Sequence, residues 1–149
     1  MFQRILVTLD GSDLSERALR PAFELAEKFR AQITLLRVMV ADTLVMATAG
    51  SGPQYLHLSD LREANERAEC EAYLQFIEKQ WHANGVPLAT RVVVGAAPEV
   101  IVQTADQCGA ELIVMSTHGR SGLNRFLYGS VAEAVLRGTQ IPLLLIPVK

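Results

Sequence analysis

Residues 116–130, Ser-Thr-His-Gly-Arg-Ser-Gly-Leu-Asn-Arg-Phe-Leu-Tyr-Gly-Ser, carry the clearest chemical potential in this chain. The apolar run Leu112-Ile113-Val114-Met115 leads into them, and the helical pattern Val131-Ala132-Glu133-Ala134-Val135-Leu136 follows. A strand, a glycine-bearing loop and a helix start can bring bare backbone N–H groups up to an anion, and the helix start adds the positive end of its dipole. The chemistry would be phosphate binding. The donors would be the N–H groups of Gly129, Ser130 and Val131, with the Ser130 hydroxyl as another. A plainer reading competes with it: Ser130 and Glu133 have the spacing of a capping box, so Gly129-Ser130 could simply begin a helix. His118, Arg120 and Arg125 flank the glycines. A guanidinium pairs well with phosphate, but each of the three is equally at home as a solvated loop residue.

The spacing is neither of the two common nucleotide fingerprints. Gly-Lys-[Ser/Thr] is absent, and Gly119-Arg120-Ser121-Gly122 lacks the first glycine of GxGxxG. Ser12, Ser15, Ser116, Ser121 and Ser130 lie outside any nucleophile-elbow context, and no nucleophile, base and orienting group fall together. His57 and His82 have no cluster partners, so no metal site is expected; a divalent ion would arrive only with phosphates. Cys70 and Cys108 form no CxxC pair and read as reduced thiols of a cytosolic protein. A net charge of −2 gives no electrostatic footprint for nucleic acid or for an anionic membrane. No apolar run approaches the roughly 18 residues that span a bilayer, and Met1-Phe2-Gln3-Arg4 does not read as a signal peptide.

The elements that must position these residues are legible in order. Residues 4–9 form a short β-branched, apolar run that suits a strand buried on both faces. Asp10-Gly11-Ser12 turns, and Asp13 with Glu16 suggests a capping box for a helix ending near Arg30. Ala18, Ala22, Leu25 and Phe29 mark its apolar face. Pro21 inside it predicts a kink. Residues 32–40 are the second strand, joined to the first by a crossover that is right-handed by default. Residues 41–59 read as a breaker-rich loop, either a lid or partly disordered. A long helix follows from Ser59, with Cys70, Tyr73, Leu74, Ile77 and Trp81 on one face, and ends at Asn84-Gly85. Residues 88–94 form the third strand. Gly95-Ala96-Ala97-Pro98 turns into a helix closed by Gly109, with Val100, Ile101, Thr104, Ala105 and Cys108 inward. Residues 111–115, a helix at 130–137 and a last strand within 141–148 complete the chain.

Strict alternation of strand and helix, with no repeats, predicts one α/β domain over residues 1–149, a doubly wound five-stranded parallel sheet with helices on both faces. Ligands bind such sheets outside the carboxyl ends of the strands, where the strand order reverses. Asp10-Gly11-Ser12, the chain from Met39, Gly95-Ala96-Ala97 and residues 116–130 would meet there. Gly95-Ala96 either lets a ligand pass or makes a tight turn.

In that order, the segments Arg4-Ile-Leu-Val-Thr-Leu-Asp10-Gly-Ser12, Leu35-Leu-Arg-Val38, Gly95 to Pro98, Met115-Ser-Thr-His-Gly119, Gly129-Ser-Val-Ala-Glu133 and Ile141-Pro-Leu-Leu-Leu-Ile-Pro147 resemble the single-domain universal stress proteins over nearly the whole chain. The resemblance implies a Rossmann-like fold of the adenine nucleotide alpha hydrolase type and a role in stress tolerance. Its nucleotide-binding branch carries G-x2-G-x9-G-[S/T]. Here Gly119, Gly129 and Ser130 fill the last three positions and Ser116 stands at the first. A side chain there could crowd the phosphates, or its hydroxyl could donate to them. By the same resemblance ATP, or ADP or AMP, would be bound, with Mg²⁺ on its phosphates. Thr8 and Val38 would line the base and ribose pocket, Asp10 would contact the adenosine part, and Met115, Ser116, His118, Gly119, Arg120, Gly129, Ser130 and Val131 would complete the site. Asp before Gly is equally common as a turn or capping residue. At most slow ATP hydrolysis is implied. The alternative is a module of the same fold that binds no nucleotide, which Ser116 favours. The apolar last strand, Leu143–Ile146, reads as an edge, and both that and the resemblance point to a homodimer through it.

Overall fold

In the computed structural model, residues 1–40, 53–118 and 129–148 are described, the side chains of residues 53–59 excepted. Five strands form one parallel sheet: β1 (Arg4–Leu9), β2 (Gln32–Met39), β3 (Leu88–Val94), β4 (Leu112–Ser116) and β5 (Leu143–Ile146). Their spatial order is β3-β2-β1-β4-β5. All four pairings are parallel. The helices are α1 (Asp13–Glu16), α2 (Leu19–Phe29), α3 (Pro53–Trp81), α4 (Ala97–Gln107) and α5 (Ser130–Gly138), with a 3₁₀ turn at His82–Asn84.

Alternation along the strands divides the core. Ile5, Val7, Leu9, Ile33, Leu35, Leu112 and Val114 face α2 and α3, where Phe23, Leu74 and Ile77 are buried against them. Phe23 and Trp81 stack there, with ring centroids 4.4 Å apart. Leu6, Leu36, Ile113 and Met115 face α4 and α5, with Val100, Ile101, Ala105, Ala132 and Val135. Each of these large side chains contributes about 1.5–3 kcal/mol on burial, so the two-sided core, not local propensity, fixes the central strands.

The chain lays down β1, β2 and β3 outward, then crosses back to place β4 and β5 on the other side of β1. The order therefore reverses between β1 and β4, and the crevice of a doubly wound sheet opens there, at the carboxyl ends.

Three local expectations are corrected. The first helix is not one kinked rod: it breaks at Arg17-Ala18, and Pro21 sits in the first turn of α2. Pro21 has no N–H to offer the Arg17 carbonyl four residues back, so the break falls there and the ring occupies a turn where free N–H groups are normal. The cap of α1 is Ser12, not Asp13; its hydroxyl accepts from the Ser15 N–H at 3.2 Å. The long helix begins at Pro53 rather than Ser59, with proline at its first position. The remainder of the expected loop, residues 41–52, lies outside the described residues.

Candidate functional site

At the end of β1 the chain turns at Gly11, whose φ of 84° is the left-handed conformation that glycine adopts freely. Asp10 Oδ1 accepts from the Ser12 N–H at 2.9 Å and from the Ser12 hydroxyl. The buried Ser15 hydroxyl accepts from the Asp10 N–H at 3.2 Å and donates to the Ser12 carbonyl at 2.8 Å. Asp10 is thus held in an Asx-type turn that also starts α1. The turn reading of this residue is the one the hydrogen bonds show.

Thr8 and Met115 are buried and Val38 is half-buried. Thr8 pairs with Leu36, and Leu36, Val38 and Met115 belong to the α4/α5 side of the core. Thr8 shares that side by strand alternation. The residues expected to line a base pocket therefore share one face of the sheet near its carboxyl edge.

The end of β4 is a hydrogen-bonded knot. The Ser116 hydroxyl donates to the His118 carbonyl at 2.9 Å and is buried. A hydroxyl has one proton to give, so in this arrangement Ser116 packs within its own turn and does not donate to a ligand. Thr117 ties three segments together. Its N–H donates to the Ile146 carbonyl at 2.9 Å and its carbonyl accepts from the Gly129 N–H at 2.6 Å. Its hydroxyl accepts from the Val148 N–H at 3.3 Å and lies 3.1 Å from His118 Nδ1.

Gly129 caps α5 with φ −68° and ψ 157°, a conformation open to any residue. A Cβ there would lie 2.5 Å from the Thr117 carbonyl oxygen. Glycine is required for close approach, which seats the start of α5 against the end of β4. Two expectations are corrected. The Gly129 N–H, expected as a donor to an anion, is already given to the Thr117 carbonyl, whereas the N–H groups of Ser130 and Val131 lie in the first turn of α5, where no intrahelical acceptor precedes them. The Ser130–Glu133 capping box does not form: no side chain caps α5, and Glu133 pairs with Arg137 at 2.7 Å. Ser130 is exposed at the first helical position. Gly119, Arg120 and Arg125 lie outside the described residues.

Gly95 makes the tight turn. Its N–H donates to the Met39 carbonyl at 2.9 Å, and an added Cβ would meet Val100 Cγ2 at 2.7 Å. The space beside it belongs to α4.

Sequence reasoning misses Thr117 and the part Ser15 plays in the turn. Ser12 and Ser15 have the spacing of a cap and its third helical residue, a signal that would have found them. Thr117 had none, because its partners at residues 129, 146 and 148 are brought in by tertiary structure. Among the described residues no group of three His, Cys, Asp or Glu side chains could hold a metal ion. No helix among them is long and apolar enough to cross a membrane.

The chain is thus a doubly wound parallel α/β protein with its polar turns and a helix N-terminus gathered where the strand order reverses. It belongs to the universal stress protein family, whose model matches residues 1–147. Universal stress protein MJ0531 of Methanocaldococcus jannaschii is 32% identical over 146 residues, covering 98% of this chain and 82% of that protein. The structure of universal stress protein UspA from Lactobacillus plantarum superposes with a TM-score of 0.82 at 22% identity, covering 97% of each chain. A universal stress protein solved in complex with cAMP matches with a TM-score of 0.63 at 28% identity, over 99% of this chain and 98% of that one.

Proposed function

We propose that this universal stress protein binds an adenine nucleotide, ATP or its relatives ADP and AMP, in the crevice between the ends of β1 and β4. The observation that carries the reading is the junction of Gly129 with Thr117, which presents the N–H groups of Ser130 and Val131 at the carboxyl edge of the sheet. The phosphates would meet those groups, with His118, Gly119 and Arg120 beside them. Asp10 would accept from ribose hydroxyls, and Thr8, Val38 and Met115 would border the base. Mg²⁺ would enter on the phosphates. The relative in complex with cAMP supports an adenine nucleotide as the ligand class. The protein would act as a cytosolic regulatory module in stress tolerance, a homodimer through β5, with ATP hydrolysis slow at most.

A second reading has its own observation. Ser116 replaces the first motif glycine and gives its proton to the His118 carbonyl, which favours an interaction module of the same fold without nucleotide. Acid release from purified protein, followed by chromatography, separates the two. An adenine nucleotide in the supernatant is the expected result. Protein that releases none, and whose melting temperature does not move in millimolar ATP and Mg²⁺, overturns the nucleotide reading.

A further inference from the structure

Among the described residues the sheet has two edge strands, β3 and β5, and they are unequal. Ile33 N–H donates to the Pro87 carbonyl and Gly95 N–H to the Met39 carbonyl, both at 2.9 Å. The odd-numbered residues of β3 therefore face β2. By strand alternation the backbone groups of Leu88, Thr90, Val92 and Val94 point outward. On the other side, Ile113 N–H donates to the Pro142 carbonyl and Thr117 N–H to the Ile146 carbonyl. Only Leu143 and Leu145 then offer both an N–H and a C=O outward, before Pro147, which has no N–H. Counted by backbone groups, β3 is the better template for an added strand.

That template is occupied at one point. Arg67 Nη1, from α3, donates to the Val92 carbonyl at 3.3 Å. Its other nitrogen lies 3.9 Å from Glu63 one turn earlier. The half-buried guanidinium thus covers an outward-pointing acceptor of the edge, and the exposed Arg91 adds a second cation in the strand. Cations on an edge strand oppose pairing with another chain.

The geometry points to Arg67 as a latch that closes the β3 edge to a second copy of this chain. The latch sets the type of assembly. Two-fold pairing through β5 alone closes as a dimer. Pairing through both edges would give each copy two self-complementary faces on opposite sides, and the chain of copies would not close. The homodimer through β5 rests on the proposed function, but the latch is testable whether or not that dimer forms.

Sedimentation velocity across a concentration series would compare the wild type with Arg67→Met, which keeps the apolar stem and loses the donor. Arg62→Met is the control at an exposed position of the same helix. Arg67→Met is expected to sediment one assembly step higher than the wild type: dimers if the wild type is monomeric, concentration-dependent chains if it is dimeric. Losing a charged hydrogen bond at the edge should raise the association constant about tenfold or more. Adding Thr90→Pro, which removes an outward N–H without touching the β2 ladder, should restore the wild-type state. Should Arg67→Met fail to fold, Glu63→Gln, which removes the anchor of Arg67, should shift assembly the same way by less. A folded Arg67→Met that sediments as the wild type does, or assembly that Thr90→Pro leaves in place, overturns the latch. So does an unchanged Glu63→Gln where it stands in.

Discussion

A methyl group on Gly129 would lie 2.5 Å from the Thr117 carbonyl oxygen, whereas one on Gly138 would meet nothing nearer than Val102 Cγ2 at 3.6 Å. The two glycines of one helix should therefore respond oppositely to alanine. Gly129→Ala must push α5 off the end of β4 and is expected to cost about 1–3 kcal/mol. Gly138→Ala should be neutral or stabilise by up to about 1 kcal/mol. Urea unfolding reads both as shifts in midpoint at constant slope. Tyr73 donates its phenol proton to Glu16 Oε1 at 2.9 Å. Burial and that carboxylate hold its pKa well above the ordinary tyrosine value. The sign follows from linkage: a raised folded-state pKa gives stability that is fully present below the unfolded pKa of about 10 and is lost as pH rises beyond it. Stability should fall at alkaline pH, and Tyr73→Phe should flatten that fall in melts run across it. At this scale the sequence is legible where the chemistry is local. Asp10-Gly11-Ser12 announces a turn by residue type, but the role of Thr117 depends on contacts with distant segments and left no local mark.

At the scale of elements, the corrections share one cause. Periodicity and cap spacing mark a helix but not which of two adjacent hydroxyls or carboxylates caps it. Ser12 took the cap because its hydroxyl reaches the Ser15 N–H, leaving Asp13 in the first turn. Pro21 was legible as a disturbance but not as a first-turn residue, because the break that accommodates it lies four residues earlier. The expected consequence is specific. Pro21→Ala should change stability by no more than about 0.5 kcal/mol, whereas relief of a mid-helix proline would gain on the order of 3 kcal/mol. Chemical unfolding decides between them. Strands were the most legible elements. Residues 88–94 are β3 as expected, because short apolar runs between breakers admit few alternatives.

For the whole molecule, alternation of strand and helix implies the parallel doubly wound sheet, and the strand order places the reversal between β1 and β4. Alternation does not say which strand ends carry ligand groups. The proposed site is drawn at the three turns that meet at the reversal, around Asp10, Ser116 and Gly129. The edges differ for reasons written in backbone parity and one arginine, which periodicity does not record. The proposed binding of phosphate at the start of α5 is tested most directly at Ser130, which is exposed at the first helical position. A carboxylate in a first turn favours the helix but repels phosphate. Isothermal titration of Mg²⁺-ATP into the wild type should show one-to-one binding. Ser130→Glu should bind at least about tenfold more weakly, a loss of about 1.4 kcal/mol, while its melting temperature stays level or rises. A wild type that does not bind millimolar ATP, or a Ser130→Glu variant that binds it equally well, would contradict the account.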